Sequence, residues 1–274
     1  MSTAIRHPVL GPALPDRGWV PAPRYLLRRD RVLRMMRRLP PGDLLEIGCG
    51  PGALLDDLAR MGHRCQALET SPEARALAGI TLRDHPGVQI HDTAPAAWKN
   101  RFDYVLAFEV LEHIEDDRAA LLGWADWLKP GGHLLMSVPA HQRRWTALDT
   151  WAGHYRRYER VQLEGLFRAC GFQPLQTECY GFPLANIVSP VRSWMYRRDL
   201  RRQAQATEGA DDKASNTRRS GTERRVESRL YPLQASWPWT MVMKLNFALQ
   251  GQFVGTEMGT GYLVLAQRAR DTRI

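Results

Sequence analysis

Carboxylates and imidazoles are concentrated in the middle of this chain, in a spacing that suits proton transfer or metal binding. Glu109, Glu112 and His113 fall in one short stretch, and His154 follows further along the chain. Carboxylate oxygens and imidazole nitrogens form a reasonable mixed ligand set for a divalent cation, which lowers the pKa of a bound hydroxyl. An imidazole can also act without a metal, as a general base. We therefore treat His113, His141 and His154 as candidate catalytic residues, with a structural role as the alternative.

A glycine-rich turn precedes these residues and predicts a site for a nucleotide-type cofactor. The segment Leu44–Gly52 has the pattern of a buried strand that runs into a turn, with glycines at alternate positions (Gly48, Gly50 and Gly52). Without a Cβ there, a ligand can lie against bare backbone and face the N–H groups of the turn and of the following helix. The turn alone does not select the cofactor, because Glu69 also lies at the distance that an NAD-binding fold requires.

Strands and helices alternate from residue 43 to residue 180, an order that predicts a parallel sheet covered by helices on both faces. The predicted strands are Asp43–Gly48, Arg64–Glu69, Val88–His91, Tyr104–Phe108, His133–Val138 and Phe172–Tyr180, with a last strand at Gly261–Arg268. The predicted helices are Ala53–Met61, Pro72–Ala78, Asp116–Leu128 and Arg160–Cys170. Such folds bind their ligands beyond the carboxyl ends of the strands, so the candidate catalytic residues are expected there.

Four further motifs flank the glycine turn and narrow the choice of cofactor. Glu46 stands two residues before the first glycine, and Asp92 follows the third predicted strand. The stretch Phe108–Ile114 follows the fourth strand, and Leu128–Gly132 makes a tight turn into the fifth. In this combination and order, the chain resembles the class I S-adenosylmethionine-dependent methyltransferases, over roughly Asp43–Gln176 and the last strand.

The resemblance implies both a fold and a cofactor. The fold is a Rossmann-like α/β sheet of seven strands, mostly parallel with an antiparallel last strand, with helices on both faces and a long insertion before that strand. The cofactor is S-adenosylmethionine, with the three glycines beside its methionine part. By the same resemblance Glu46 would help place the amino group, Glu69 would accept both ribose hydroxyls, and Asp92 would meet the adenine amine. The full predicted cofactor-binding set is Glu46, Gly48, Gly50, Gly52, Glu69, Thr70, Asp92, Thr93 and Phe108.

A second resemblance concerns the carboxylate–imidazole cluster. It is similar to the metal site of small-RNA 2′-O-methyltransferases and to a related stretch in ubiquinone-pathway O-methyltransferases. By that resemblance Glu109, Glu112, His113 and His154 would hold a divalent cation. The competing interpretation is that Leu-Glu-His after the fourth strand is widespread among relatives without a metal, where His113 has a structural role.

Composition divides the chain into three parts. Residues 1–40 are predicted to form a loose proline-rich arm and an amphipathic helix, Tyr25–Leu39, whose arginine side is expected in solvent. Residues 41–180 and 257–274 form the predicted cofactor-binding catalytic domain. Residues 181–256 are an insertion with apolar, aromatic flanks and a polar centre, Arg201–Arg229, which is expected to be mobile. We expect this insertion to act as a lid or substrate module.

Charge and composition limit the kinds of partner that this chain is expected to bind. The formal net charge is +9, and basic surface favours nucleic acid, anionic lipid or a phosphorylated substrate; solvated arginine is the alternative. The loop arginines Arg143, Arg144, Arg156 and Arg157 could bind an anionic group of the acceptor. The four cysteines form no CxxC pair, and neither a signal pattern nor an apolar run long enough to span a bilayer is present, so we expect a cytoplasmic protein.

The leading hypothesis is O-methylation of a small or lipid-like metabolite, with an amine as the alternative acceptor group and peripheral membrane contact as a possible partner interaction. The alternatives are a metal-dependent RNA 2′-O-methyltransferase, an NAD-dependent oxidoreductase and a cofactor-binding regulatory protein without catalysis. The oligomeric state is not predictable from these features.

Overall fold

The computed structural model describes residues 3–190, 228 and 230–270, and its centre is one seven-stranded mixed sheet. In chain order the strands of this sheet are β3 (Asp43–Ile47), β4 (Arg64–Leu68), β5 (Gln89–His91), β6 (Phe102–Phe108), β7 (Leu128–Pro139), β8 (Phe172–Tyr180) and β9 (Gly261–Arg268). Their spatial order is β5-β4-β3-β6-β7-β9-β8. Strand β9 is antiparallel to both neighbours, and the pairs from β5 to β7 are parallel. The predicted fold class is therefore confirmed.

Helices cover both faces of the sheet. They are α1 (Pro23–Met36), α2 (Ala53–Arg60), α3 (Pro72–Thr81), α4 (Asp117–Trp127), α5 (Ala147–Ala152), α6 (Arg160–Ala169), α7 (Tyr231–Gln234) and α8 (Trp237–Phe253). Local sequence explains where several of them begin. The Ser71 hydroxyl accepts from the N–H of Ala74 at 3.2 Å, and the Asp116 carboxylate accepts from the N–H of Ala119 at 2.8 Å. Both are N-cap contacts, and they start α3 and α4.

The core lies on both sides of the sheet, which is why the central strands are almost continuously apolar. One cluster packs α4 and α6 against the sheet through residues such as Leu121, Leu163 and Phe167. The other packs α1 and α2 through residues such as Met36 and Leu55. These two layers hold the carboxyl ends of β3, β4 and β6 in a fixed arrangement, and the site is built on those ends.

The N-terminal segment is not a loose arm, and that prediction is wrong. Strands β1 (Ile5–His7) and β2 (Gly11–Ala13) form an antiparallel hairpin, and Leu10 and Leu14 are almost fully buried. Arg6 reaches α2, where its guanidinium pairs with the carboxylates of Asp56 and Asp57. Long-range burial and these ion pairs order a segment whose composition alone suggests a flexible chain.

The arginine side of α1 is also less solvated than expected. Arg29 donates from Nε to the Asp57 carboxylate at 2.5 Å, and Arg31 makes a two-point contact with Glu178 at 2.6 and 2.7 Å. Arg28 lies over the ring of Phe108, 5.6 Å from its centroid. The helix is thus held by ion pairs with residues far away in the sequence, and part of its basic side faces the site.

The described part of the insertion is helical and packs on α1. The Gln250 side chain of α8 donates to the Leu27 carbonyl of α1 at 3.0 Å. Among the described residues, no helix is both long enough and apolar enough to cross a bilayer. Apart from Ser228, the predicted mobile centre Arg201–Arg229 lies outside the described residues.

Candidate active site

A cavity of about 390 Å³ opens beyond the carboxyl ends of β3 and β6, between the start of α1 and α5. It contains many of the residues that the sequence singled out. Those predicted residues are Glu46, Gly48, Gly50, Glu69, Thr70, Phe108, Glu109, His113 and His154. A shared cavity of this size, with charged groups at the ends of parallel strands, is typical of a cofactor and substrate site.

The glycine turn leaves open space where a cofactor would lie. Gly50 has a φ of +54°, and a Cβ at this position would meet no atom within 4 Å. Gly52 has another role, because it does not line the cavity and a Cβ there would press on Leu82 and Ala78 of α3. Helix packing alone therefore explains the glycine at position 52, and its predicted cofactor contact stays a prediction.

Glu69 is fixed in place by the backbone at the edge of the cavity. Its carboxylate accepts from the N–H of Gly50 at 2.8 Å and from the N–H of Ser71 at 2.9 Å. A carboxylate can accept about four hydrogen bonds, so these two use only part of its capacity. The remaining lone pairs are available to a ligand diol, as predicted for the ribose.

Glu46 is a buried carboxylate with spare bonding capacity. Its Oε2 has no hydrogen-bond partner among the described residues, and the side chain lines the cavity. Burial raises the pKa of Glu46 to about 8, with Glu69 and Asp57 acting in the same direction and Arg28 opposing. An unpartnered buried acid is costly, and a ligand ammonium group would satisfy it.

The residues predicted to lie near the adenine, Asp92 and Thr93, are outside the cavity. Asp92 and Thr93 are exposed, do not line the cavity, and make a 3.3 Å hydrogen bond from the Thr93 hydroxyl to the Asp92 carboxylate. The structure does not bring them together with Glu46 and Glu69, so their contact with the cofactor stays a prediction.

Two arginines of α1 line the cavity, and sequence reasoning did not place them there. Arg24 pairs with the Glu109 carboxylate at 2.8 Å, and Glu109 also accepts from the hydroxyls of Ser137 and Tyr180 at 3.0 Å each. Burial alone would raise the pKa of Glu109, but Arg24 and Arg28 lower it to about 2. Glu109 therefore stays ionised and serves as the anchor for α1.

Three of the four predicted metal ligands come together. Ligand atoms of Glu112, His113 and His154 lie within 4.8 Å of one another, and the Glu112 carboxylate is 3.9 Å from His154 Nε2. Glu109 is not in this group, since its oxygens bind Arg24, Ser137 and Tyr180 instead.

Burial disfavours the charged forms of two members of this cluster. Glu112 is fully buried, and neither carboxylate oxygen has a hydrogen-bond partner among the described residues. Burial, reinforced by the charge of Glu109, raises the pKa of Glu112 well above its ordinary value. Burial and the neighbouring His154 lower the pKa of His113 to about 4. A cation placed among these groups would meet a carboxylate and imidazoles with free capacity.

His154 is held in the orientation that a general base needs. Its Nδ1 lies 3.0 Å from Asp149, which is itself bound by Arg157 at 2.7 and 2.8 Å. An ionised carboxylate only accepts, so in the neutral ring Nδ1 is the nitrogen that donates to Asp149, and the lone pair is then on Nε2. Asp149 was missed from the sequence, although Thr146-x-x-Asp149 forms the capping box of α5 and is a recognisable signal.

His141 and the loop arginines do not join the site. His141 is buried outside the cavity, with its ring against Tyr262 and its Nδ1 3.3 Å from Glu159. The structure does not bring it together with His113 and His154, so its catalytic role stays a prediction without support from the geometry. Arg144 donates to the Gly259 carbonyl, Arg156 pairs with Asp117, and Arg157 pairs with Asp149. These three arginines already have protein partners and do not form the predicted anion clamp.

Comparison with known proteins identifies the class of this site. A family described as a methyltransferase domain matches residues 22–177. The chain belongs to this family, and it carries the fold and the cofactor-binding site of a class I S-adenosylmethionine-dependent methyltransferase. The cofactor is S-adenosyl-L-methionine, which agrees with the unpartnered Glu46 carboxylate and the open space at Gly50. The alternative with NAD is not supported.

Individual relatives show how far the likeness extends. The ubiquinone biosynthesis O-methyltransferase of Xanthomonas axonopodis pv. citri (strain 306) is 32% identical over 138 residues, which cover 46% of this chain and 57% of the relative. The chain spans about half the length of the curated relatives it matches.

Solved structures share the fold at low identity. Haemonchus contortus phosphoethanolamine N-methyltransferase 2, solved with S-adenosyl-L-methionine, has a TM-score of 0.52 at 15% identity, over 89% of this chain and 52% of that one. The [4+2]-cyclase SpnF has a TM-score of 0.53 at 19% identity, over 98% of this chain and 88% of that one. A cyclase on the same fold shows that the reaction must be argued from the site.

Proposed function

We propose that this protein transfers a methyl group from S-adenosylmethionine to a hydroxyl of a small, largely apolar acceptor. The observation that carries the proposal is His154, which Asp149 holds from behind and which lines the same cavity as the glycine turn, Glu46 and Glu69. When bound, the cofactor supplies an electrophilic methyl group on a sulfonium. A hydroxyl must lose its proton as it accepts that methyl group, and His154 Nε2 can take it.

The cavity walls support an apolar, ring-like acceptor. Beyond the charged residues, the lining includes Phe108, Val110, Ile114, Leu148 and Trp151. Such walls favour a flat apolar group and exclude water from the reacting atoms. The Xanthomonas relative is by name an O-methyltransferase of ubiquinone biosynthesis, and by analogy we infer a phenol or catechol as the acceptor class.

A divalent cation fits the same chemistry through the cluster of Glu112, His113 and His154. This cluster offers one carboxylate and two imidazoles, a set that suits divalent cations, and both Glu112 oxygens have spare capacity. When bound, a cation there would lower the pKa of an acceptor hydroxyl. No specific observation favours RNA as the acceptor, because the loop arginines near the cavity already bind protein groups.

Chelation tests the metal part of the proposal. We expect exhaustive removal of divalent cations to lower turnover by at least about tenfold, and added Mg²⁺ or Mn²⁺ to restore it, because a Lewis acid assists deprotonation. His113→Ala should reduce the affinity for the metal while cofactor binding persists. Undiminished turnover of the metal-free enzyme would contradict a role for the cation. His154 would then act as a base without a metal.

Cofactor binding should release a proton from Glu46. Its pKa of about 8 keeps it mostly protonated at pH 6.5, and an arriving ammonium group favours the ionised carboxylate. Affinity for S-adenosylhomocysteine should therefore rise as the pH increases towards 8. Calorimetry at pH 6.5, in buffers of different ionisation enthalpy, should show release of nearly one proton per cofactor. Equal proton release by wild type and Glu46→Gln would contradict this role.

A further inference from the structure

Helix α8 carries an apolar stripe on its outward side. Trp237 is 75% exposed and Leu245 67%, and Met241, Val242 and Leu249 are also exposed. Spacings of three, four and eight residues place these side chains along one side of the helix. We call these five residues the α8 stripe. Leu230 and Leu233, at α7, add two further exposed leucines next to it in the chain.

Contacts on the opposite side of the helix hold the stripe outward. Thr240, Met243 and Gln250 are the buried residues of α8. The Gln250 side chain donates to the Leu27 carbonyl at 3.0 Å and accepts from the N–H of Gly181 at 3.3 Å. The inward side also contains the buried Met243, with Trp239 and Phe247 packed beside it, so α8 is apolar on both sides, and an exposed apolar patch of this kind indicates a binding surface.

The charges on and around α8 favour an anionic partner. Residues 228–256 contain no Asp or Glu, and their charged side chains are Arg229 and Lys244. On the neighbouring α1 the exposed Arg34 is paired with Asp30 at 3.0 Å, so the positive charge comes from Lys244 and from the net charge of +9 of the whole chain. Helix α8 is apolar on its outward side, aromatic at one end and without Asp or Glu in its own sequence. Such a helix complements an anionic lipid surface, which attracts basic residues and accepts Trp and Leu at the headgroup level.

We propose that α8 docks this protein onto an anionic lipid bilayer, with the helix in the plane of the interface and the stripe in the outer part of the acyl region. The helix has 17 residues, and no described helix is both long and apolar enough to cross a membrane. Because α8 packs on α1, whose Arg24 and Arg28 line the cavity, docking would bring the active site close to the bilayer. Delivery of a lipid-like acceptor by this route rests on the proposed function, whereas the docking itself does not.

Vesicle sedimentation with the full-length protein tests the docking. We expect binding to vesicles of phosphatidylcholine with phosphatidylglycerol, weaker binding at high salt, and little binding to phosphatidylcholine alone. Leu245→Glu and Trp237→Glu should each reduce the partition coefficient by about tenfold or more, because each removes a large apolar group and adds a negative charge. Val161→Glu, at an 82% exposed position on α6, is the matched control and should bind like the wild type.

Three outcomes would overturn the proposal. The first is wild-type binding by both stripe variants, and the second is equal loss of binding in Val161→Glu. The third is a concentration-dependent dimer that Leu245→Glu dissociates in the absence of lipid, since the stripe would then be covered by a second copy. Thermal stabilisation by S-adenosylhomocysteine shows that each variant is folded. Methyl transfer to a water-soluble catechol tests the proposed function separately, so the two can fail independently.

Discussion

Replacing His154 by alanine is expected to lower turnover about 10²- to 10⁴-fold, the usual contribution of a positioned general base, while cofactor affinity changes little. The imidazole is oriented by a 3.0 Å contact to Asp149, and its Nε2 lies 3.9 Å from the Glu112 carboxylate. The measurement is steady-state methyl transfer to a catechol, together with calorimetric titration of S-adenosylhomocysteine.

The control for this prediction is a histidine outside the cavity. His133 lies on β7 and stacks on Tyr104 with ring centroids 6.0 Å apart, so His133→Ala removes a comparable side chain without touching the site. It should retain most of the activity. Turnover of His154→Ala within a factor of two of the wild type would rule out both the base and a metal held by this residue.

Replacing Glu69 by alanine is expected to raise the dissociation constant for S-adenosylhomocysteine by about 100-fold or more. Without the carboxylate, the complex would lose two charge-assisted hydrogen bonds to the ribose, each contributing roughly 1.5–3 kcal/mol. Its bonds to the N–H groups of Gly50 and Ser71 would also be lost, and with them the shape of the glycine turn. Calorimetry or a thermal-shift titration measures the effect.

A graded series separates binding from folding. Glu69→Gln keeps one acceptor oxygen and should show an intermediate affinity, with a melting temperature close to that of the wild type. Glu164→Ala, which removes an acid that bonds Thr177 and Arg168 outside the cavity, should bind cofactor normally. An unchanged affinity in Glu69→Ala would mean that the ribose lies elsewhere in the cavity.

Much of the fold was predictable because its strands are buried on both faces and bounded by turn residues. Strands β8 and β9 coincide with the predicted Phe172–Tyr180 and Gly261–Arg268. The N-terminal hairpin was not predictable, since its two strands have three residues each and are ordered by contacts with α2. Periodicity gives the faces of a helix, but it does not reveal which distant carboxylates will face its arginines.

Sequence predicts the place of a site residue well when that residue lies at the carboxyl end of a strand. This holds for Glu46, Gly50 and Glu69, because the carboxyl ends of neighbouring parallel strands lie at the same edge of the sheet. His141 also follows a strand, but its φ of +64° and its contact with Tyr262 place the side chain outside the cavity. Arg24 and Asp149 come from elements whose docking depends on tertiary contacts, so sequence spacing did not place them at the site, although the capping-box spacing marks Asp149 at the start of α5.

The crystal structure of the protein with S-adenosylhomocysteine tests the account most directly, because it needs no knowledge of the acceptor. We predict the ammonium group at Glu46, the ribose diol at Glu69, and the sulfur facing a space that His154 Nε2 also faces. A bound ligand whose sulfur points away from His154, or one that leaves Glu46 and Glu69 without contact, would contradict the proposed transfer to a hydroxyl deprotonated by that residue.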